Sequence, residues 1–264
     1  MRNSSHAGRK LARVSGRAVL MTGASRGIGA AAARAFAGAG DRVAVHYGTN
    51  AGLAREVAAS LPGDGHVVVG ADLTDPEAVR AMVDEAAAGL GGIDVLVNNA
   101  GVFFDHPVQA TTYDEWQRAW DTTLGVNLVG AANVTWRAVQ HMLRGGRGGR
   151  IVNVSSRGAF RGEPDAPAYG ASKAGLIAFG QSLARALGGN GISVVSVAPG
   201  FTETDMALEE LSGPRGNARR AESPFGRVAT AAEVAAAVLF LASPEAEFVS
   251  GAVLDLNGAS YLRM

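Results

Sequence analysis

Ala18-Val19-Leu20-Met21-Thr22-Gly23-Ala24-Ser25-Arg26-Gly27-Ile28-Gly29 is the stretch on which the fold turns. Four apolar residues suited to a buried strand run into a glycine-rich turn. An alanine-rich helical pattern follows, from about Ile28 to Ala39. Glycine lets a backbone turn sharply and approach a pyrophosphate, and the N-terminus of the next helix favours the anion. Alone, such a turn is weak, because glycine serves any tight turn. Here the strand and the helix supply the context that the turn needs. The spacing, Gly-x-x-x-Gly-x-Gly, is wider than the usual dinucleotide fingerprint. Gly23, Ser25, Arg26, Gly27, Ile28 and Gly29 are candidate cofactor contacts.

Working outward, short aliphatic runs alternate with longer helical patterns. Further strands are expected at Val43–Tyr47, Val67–Val69, Val95–Val97, Ile151–Val154, Ser193–Val197 and Ala252–Leu256. Asp75-Pro76-Glu77 opens a helix, with proline at its first position and acids in its first turn. Gly145–Gly149 reads as a flexible loop before the fifth strand. Nearly continuous aliphatic strands separated by helices indicate a parallel sheet covered on both faces. The expected fold class is α/β, a doubly wound, Rossmann-type parallel sheet of seven strands. No linker is evident, so residues 16–264 read as one domain behind a flexible basic tail, 1–15.

Composition narrows the function. The 264 residues carry zero formal net charge, which gives no basic footprint for nucleic acid. There is no cysteine, so disulfides, thiolate metal sites and cysteine nucleophiles are excluded. No metal site is expected. No apolar run reaches the ~18 residues of a membrane span. No membrane partner is expected, and the location expected is cytoplasmic.

Charge also bears on the cofactor. An NAD site commonly places an acid about 20 residues past the glycines, on the ribose 2′-hydroxyl. Here the second strand ends His46-Tyr47-Gly48-Thr49-Asn50, and the next acid is Glu56. A missing acid and the guanidinium of Arg26 suit a 2′-phosphate, hence NADP(H), with NAD(H) as the alternative. Tyr47, Asp72 and Leu73, and Asn99-Ala100-Gly101 follow strands at their carboxyl ends, where open α/β sheets bind ligands. They join the candidate contacts.

The chain has only two lysines, Lys10 and Lys173, against twenty-two arginines. Lys173 stands four residues after Tyr169, so on a helix the two share a face. A nearby ammonium favours the phenolate, which makes Tyr169 a candidate general acid/base. The bland reading of such a pair is helix support. Asn153-Val154-Ser155-Ser156 closes the fifth strand thirteen residues before Tyr169, counted from Ser156.

With Thr22–Gly29, Asn98–Gly101, Ser156, Tyr169 and Lys173 in that order, residues 16–262 resemble the single-domain short-chain dehydrogenase/reductase family. Within it the chain looks most like 3-oxoacyl-acyl-carrier-protein reductases and their relatives. The supporting segments are Ala198–Met206 and Val249–Gly258. The resemblance implies NADP(H)-dependent hydride transfer between the nicotinamide and a ketone or secondary alcohol. Tyr169 would be the proton donor, Lys173 would lower its pKa and hold the nicotinamide ribose, and Ser156 would hydrogen-bond the substrate oxygen. Ser155 competes, one residue too far from Tyr169. The family's catalytic asparagine falls on Asn127, or on Thr123 if Trp116 rather than Trp120 sets the register. Asn127 is preferred, with a small insertion after Gly101 taken up in a loop.

The resemblance further implies that Pro199, Gly200 and Thr202 close on the cofactor, and that about 203–226 forms a substrate lid. A homotetramer or homodimer is expected. The rival from another class is a cofactor-binding regulatory protein without turnover, which would be expected to have lost the serine, tyrosine or lysine. An enoyl reductase of the superfamily would space tyrosine and lysine more widely.

Overall fold

A computed structural model describes residues 16–204, 207 and 211–263. The expected basic tail, 1–15, lies outside them, as do Met206 and Leu208 of the expected lid. The seven expected strands are present: β1 Ala18–Met21, β2 Arg42–Tyr47, β3 Val67–Gly70, β4 Val95–Asn98, β5 Gly149–Val154, β6 Ile192–Pro199 and, last in the chain, β9 Val253–Leu256. Their spatial order is β3-β2-β1-β4-β5-β6-β9, and every pairing is parallel. The order reverses between β1 and β4, which opens a crevice at their carboxyl ends.

The helices are α1 Gly27–Gly38, α2 Ala51–Ala59, α3 Pro76–Leu90, α4 Tyr113–Leu124, α5 Ala131–Gly145, α6 Gly158–Arg161, α7 Pro167–Leu187, α8 Gly216–Ala221 and α9 Ala231–Leu241. Strand residues alternate between two cores, as the two-residue period of a strand requires. Val19, Met21, Val43, Val45, Val95 and Val97 meet α1, α2 and α9. Leu20, Ala44, Leu96 and Ile151 meet α3 and α5 on the other face. Phe36 of α1 is wholly buried, and truncating it to alanine should cost about 3–5 kcal/mol.

Local chemistry sets the helix ends. The Asp75 side chain caps α3 by accepting from Glu77 N and Ala78 N, with Pro76 at the first helical position. Thr112 and Glu115 form a reciprocal capping box on α4. The expected loop at Gly145–Gly149 is shorter than the sequence suggests. Gly145 ends α5, Gly146 caps it in the left-handed region (φ 67°), and Gly149 already pairs in β5.

Two features were not expected. One is a second small sheet, in which β7 Thr202–Glu203 pairs in parallel with β8 Ala229–Thr230. It ties the chain leaving β6 to the start of α9. The other is a π-helical turn, Gly125–Gly130, joining α4 to α5. Such turns are rare and cluster at functional sites. A Cβ at Gly130 would stand 2.6 Å from the Leu73 carbonyl oxygen, so this turn presses against the loop after β3.

Candidate active site

At the nucleotide end, β1 delivers Thr22 and Gly23 into the crevice. Gly23 (φ 61°) has no room for a side chain, since a Cβ would stand 2.7 Å from the Ala100 Cα. Gly27 also needs the left-handed region (φ 55°). A Cβ at Gly29 would collide with the Gly23 carbonyl and the Asn99 amide. The turn is therefore a cradle whose close approaches only glycine permits. Arg26 is exposed at the N-cap of α1, caps no backbone group through its side chain, and no acid stands in that helix's first turn. First-turn N–H groups in such a setting suit a pyrophosphate.

The remaining nucleotide-side candidates divide into rim and support. Asp72 is exposed at the end of β3 and accepts from the Thr74 amide and hydroxyl, which hold its pKa below the usual value. Tyr47 ends β2, and its phenol lies over Gly70, where a Cβ would be 2.6 Å from the hydroxyl. Leu73 is turned into the core. Asn99 is a staple: its side-chain amide donates to the Thr22 and Gly23 carbonyls at 3.0 and 2.9 Å. Gly200 N donates to Leu256 O, and a Cβ on Gly200 would stand 3.0 Å from the Asn257 Cβ. Pro199 is the last residue of β6, and the Thr202 hydroxyl donates back to the Gly200 carbonyl.

Motif reading missed two supports of the cradle. The Thr22 hydroxyl donates to Val97 O and accepts from the Asn99 and Ala100 amides. His46, 1% exposed, accepts the Gly23 amide at Nδ1 (3.0 Å) and donates from Nε2 to Ala71 O. Both bonds require the neutral imidazole. Burial holds its pKa down, at about 4, against a smaller upward push from the Ala71 carbonyl. A histidine at the end of an apolar strand carried no sequence signal for that task.

At the chemical end, Lys173 and Asn127 meet beside Gly101, with Tyr169 next to Lys173 and Ser156 next to Tyr169. A Cβ on Gly101 would stand 3.3 Å from both Asn127 Oδ1 and Lys173 Nζ. Asn127 sits in the π turn, 1% exposed. It grips Val102 twice, accepting from its amide (2.8 Å) and donating to its carbonyl (3.0 Å), and also donates to Ser172 Oγ. Thr123 is buried one turn earlier, and its hydroxyl has no hydrogen-bond partner. Asn127, not Thr123, therefore reaches the site. The stretch between Gly101 and Asn127 is not all loop, because α4 takes up 113–124 and stacks Trp116 on Trp120 with ring centroids 5.6 Å apart.

The two serines separate cleanly. Ser155 Oγ donates to the Lys173 carbonyl (2.9 Å) and fastens α7 to β5. Ser156 Oγ accepts from the Gly158 amide (3.0 Å) and faces the Tyr169 phenol closely enough to hold its pKa down. Lys173 Nζ lies 5.6 Å from the centre of the Tyr169 ring and donates to Val154 O (2.9 Å). Burial acts against the expected lowering of the tyrosine pKa. Burial pushes Tyr169 up to about 12; the Ser156 side chain works against this, and the Glu163 carboxylate adds to it. Burial also pulls Lys173 down to about 8.

The lid side carries the arginines. Glu222 receives Arg157 (2.5 Å), Arg219 (2.8 Å) and Arg161 (3.2 Å). Arg157 follows Ser156 directly, is 3% exposed, and donates to Ser260 Oγ. Arg157 and Arg219 both lie over the Phe201 ring, at 5.1 and 4.7 Å. Arg157, Arg219, Phe201 and Ser260 border a cavity of about 250 Å³ that Phe225, Asn257 and Gly258 also line.

A family model described as enoyl-(acyl carrier protein) reductase matches residues 23–258. A 3-oxoacyl-acyl-carrier-protein reductase from Vibrio cholerae is 36% identical over 94% of this chain and 98% of its own. The chain belongs to the short-chain dehydrogenase/reductase family. It is an oxidoreductase of that family, acting on the CH–OH/C=O couple. A D-threitol dehydrogenase from Mycolicibacterium smegmatis is 39% identical over 93% of each chain. A short-chain dehydrogenase from Burkholderia cenocepacia, solved in complex with NADP, superposes with a TM-score of 0.84 at 40% identity. That match covers 94% of this chain and 99% of the other. Among the described residues, no helix is long and apolar enough to cross a membrane, and no cluster could hold a metal ion.

Proposed function

We propose that this oxidoreductase reduces a ketone to a secondary alcohol with NADP(H), using Tyr169 as the general acid. The observation that carries the reading is the run of neighbours Ser156, Tyr169 and Lys173, with Lys173 and Asn127 meeting beside Gly101, next to a cradle of close-packed glycines. NADPH supplies the hydride when bound. Gly23, Gly27, Gly29 and the first turn of α1 hold its pyrophosphate, and Arg26 meets the 2′-phosphate. The NADP complex of the Burkholderia relative supports that choice over NAD(H).

The protein groups take the following parts. Ser156 donates to the substrate oxygen as negative charge develops there. Tyr169 delivers its proton to the same oxygen. The phenol carries its proton at neutrality, as any tyrosine does, and burial pushes its pKa up rather than down. Lys173 and Asn127 flank Gly101, where they orient the nicotinamide ribose and the proton path. The four-residue step from Tyr169 to Lys173 supports carbonyl rather than enoyl reduction.

The substrate is a small ketone or alcohol entering past Phe103, whose ring meets Tyr169 edge-on at 5.0 Å. The proposal extends to a cytoplasmic location and to assembly as a homodimer or homotetramer. Exposed Trp136 and Leu143 on α5, and Phe248, Leu254 and Leu262 around β9, suit self-association. Sedimentation of the purified chain checks the assembly. The activity is tested by supplying NADPH and NADH separately against β-ketoacyl thioesters, simple ketones and hydroxyketones. Faster oxidation of NADPH with at least one ketone is expected. Oxidation of neither cofactor across the panel would overturn the activity, and a preference for NADH would overturn the cofactor.

A further inference from the structure

The N-terminus of α7 presents a problem that the catalytic set does not solve. The helix begins Pro167-Ala168-Tyr169, so the proton donor stands in its first turn. First-turn amides have no partner within their own helix. Pro167 has no N–H to satisfy, and the Tyr169 amide reaches Ala166 O at 3.0 Å. Ala166, at the N-cap, has no side-chain oxygen and makes no capping bond. The Ala168 amide, next to the catalytic tyrosine, is buried and must find an acceptor elsewhere.

It finds one 62 residues away. His106 is 2% exposed and accepts the Ala168 amide at Nε2 (3.2 Å). Its Nδ1 lies 2.8 Å from the carbonyl of Phe104, so Nδ1 carries the proton and Nε2 is left as the acceptor. The His106 backbone amide donates to Asp165 O at 2.7 Å, just before the same helix. The ring meets Trp116 edge-on at 5.5 Å, and Trp116 in turn stacks on Trp120. The loop that carries His106 also carries Val102, gripped by Asn127, and Phe103, which touches the Tyr169 ring.

We propose that His106 is a positioning residue for Tyr169: its imidazole replaces the missing N-cap of α7, and Trp116 holds the ring in its accepting orientation. The inference rests on the reading of Tyr169 as the proton donor. An ordinary buried histidine would satisfy its nitrogens anywhere in the core. This one spends its single acceptor on the amide that adjoins the reacting side chain. Loss of that bond frees the first turn of α7, and small misplacements of a reacting group are costly.

The test compares His106→Phe, which keeps a ring against Trp116 and removes the acceptor, with His106→Gln, whose amide oxygen can take the place of Nε2. Turnover number, KM for the ketone, NADPH dissociation constant and melting temperature are measured on each. His106→Phe is expected to lower kcat on the order of 10-fold to 10²-fold, with NADPH affinity unchanged. His106→Gln is expected to recover most of that loss. Equal turnover in His106→Phe and the parent would overturn the proposal. So would equal losses in both variants that track a lowered melting temperature, since a purely structural role predicts that result.

If His106→Phe does not fold, His106→Asn replaces it, as an amide too short to reach Ala168. Asn is then expected to be impaired where Gln is not, and equal activities would overturn the proposal. Tyr169→Phe, run alongside, separates the two readings. Turnover retained in that variant sinks the tyrosine mechanism itself. Turnover lost there but intact in His106→Phe sinks only the positioning role.

Discussion

The two ends of the crevice are built by different means. At the nucleotide end the shape is made by backbone: Gly23, Gly27 and Gly29 leave room that any side chain would fill, and Asn99 and Thr22 staple that backbone together. At the chemical end the shape is made by side chains reaching across the chain. His106 holds Ala168, Ser155 holds Lys173 and Arg157 holds Ser260. The first kind of construction is local and written in glycine spacing. The second is long-range and has no spacing to read. The two ends should therefore fail differently when altered.

The largest effect is expected at Gly23. Gly23→Ala meets both a strained φ and the Ala100 backbone at 2.7 Å. Calorimetric titration should show NADPH affinity lowered by on the order of 10²-fold or more, given ~1–3 kcal/mol for the strained backbone and the collision besides. Affinity equal to the parent's would mean that the turn does not hold the dinucleotide.

Next comes His46, where the two kinds of construction meet. Its pKa falls from 6.5 unfolded to about 4 folded, so the unfolded chain binds the extra proton between those values. Stability is therefore lost as pH drops from about 6.5 to 4, on the order of 3 kcal/mol from this group. His46→Asn, which can still accept from Gly23, should flatten the fall in melting temperature across that window. An unchanged slope would assign the acid sensitivity to other groups.

A smaller effect is expected at Glu163. This carboxylate is itself pushed upward, by burial first, and it adds to the upward push on Tyr169. Glu163→Gln should move the tyrosine limb of the kcat/KM profile to lower pH. An upward move would contradict the electrostatics. Smallest is Glu222→Gln, whose amide oxygen can still accept from the buried Arg157 while the partly exposed pairs with Arg161 and Arg219 loosen. We expect a change of less than about 1 kcal/mol in melting free energy, with a raised KM for the ketone and unchanged NADPH affinity. A changed NADPH affinity would tie the lid arginines to the nucleotide end and erase the contrast.

The same contrast explains what the sequence made legible. The seven strands and their order of appearance follow from aliphatic runs whose alternate residues face two cores. The glycine turn and the Tyr169–Lys173 pair lie at spacings that residue types disclose, whereas the parts given to Ser156 and Asn127 are what the family resemblance implies. Asn127 was ambiguous because Trp116 and Trp120 are one turn apart, and only the π turn decides which residue reaches Val102. The spacing to Lys173 shows the ammonium but not the burial, which pushes Tyr169 up and Lys173 down. Thr22, His46 and His106 went unnoticed as supports, since each acts by accepting distant backbone N–H groups.

The most direct test measures NADPH binding and turnover side by side in Tyr169→Phe. Removing one hydroxyl from the chemical end should leave the NADPH dissociation constant within about twofold of the parent and lower kcat by roughly 10²–10⁴-fold, the usual worth of a positioned acid. Turnover close to the parent's would contradict tyrosine as the proton donor.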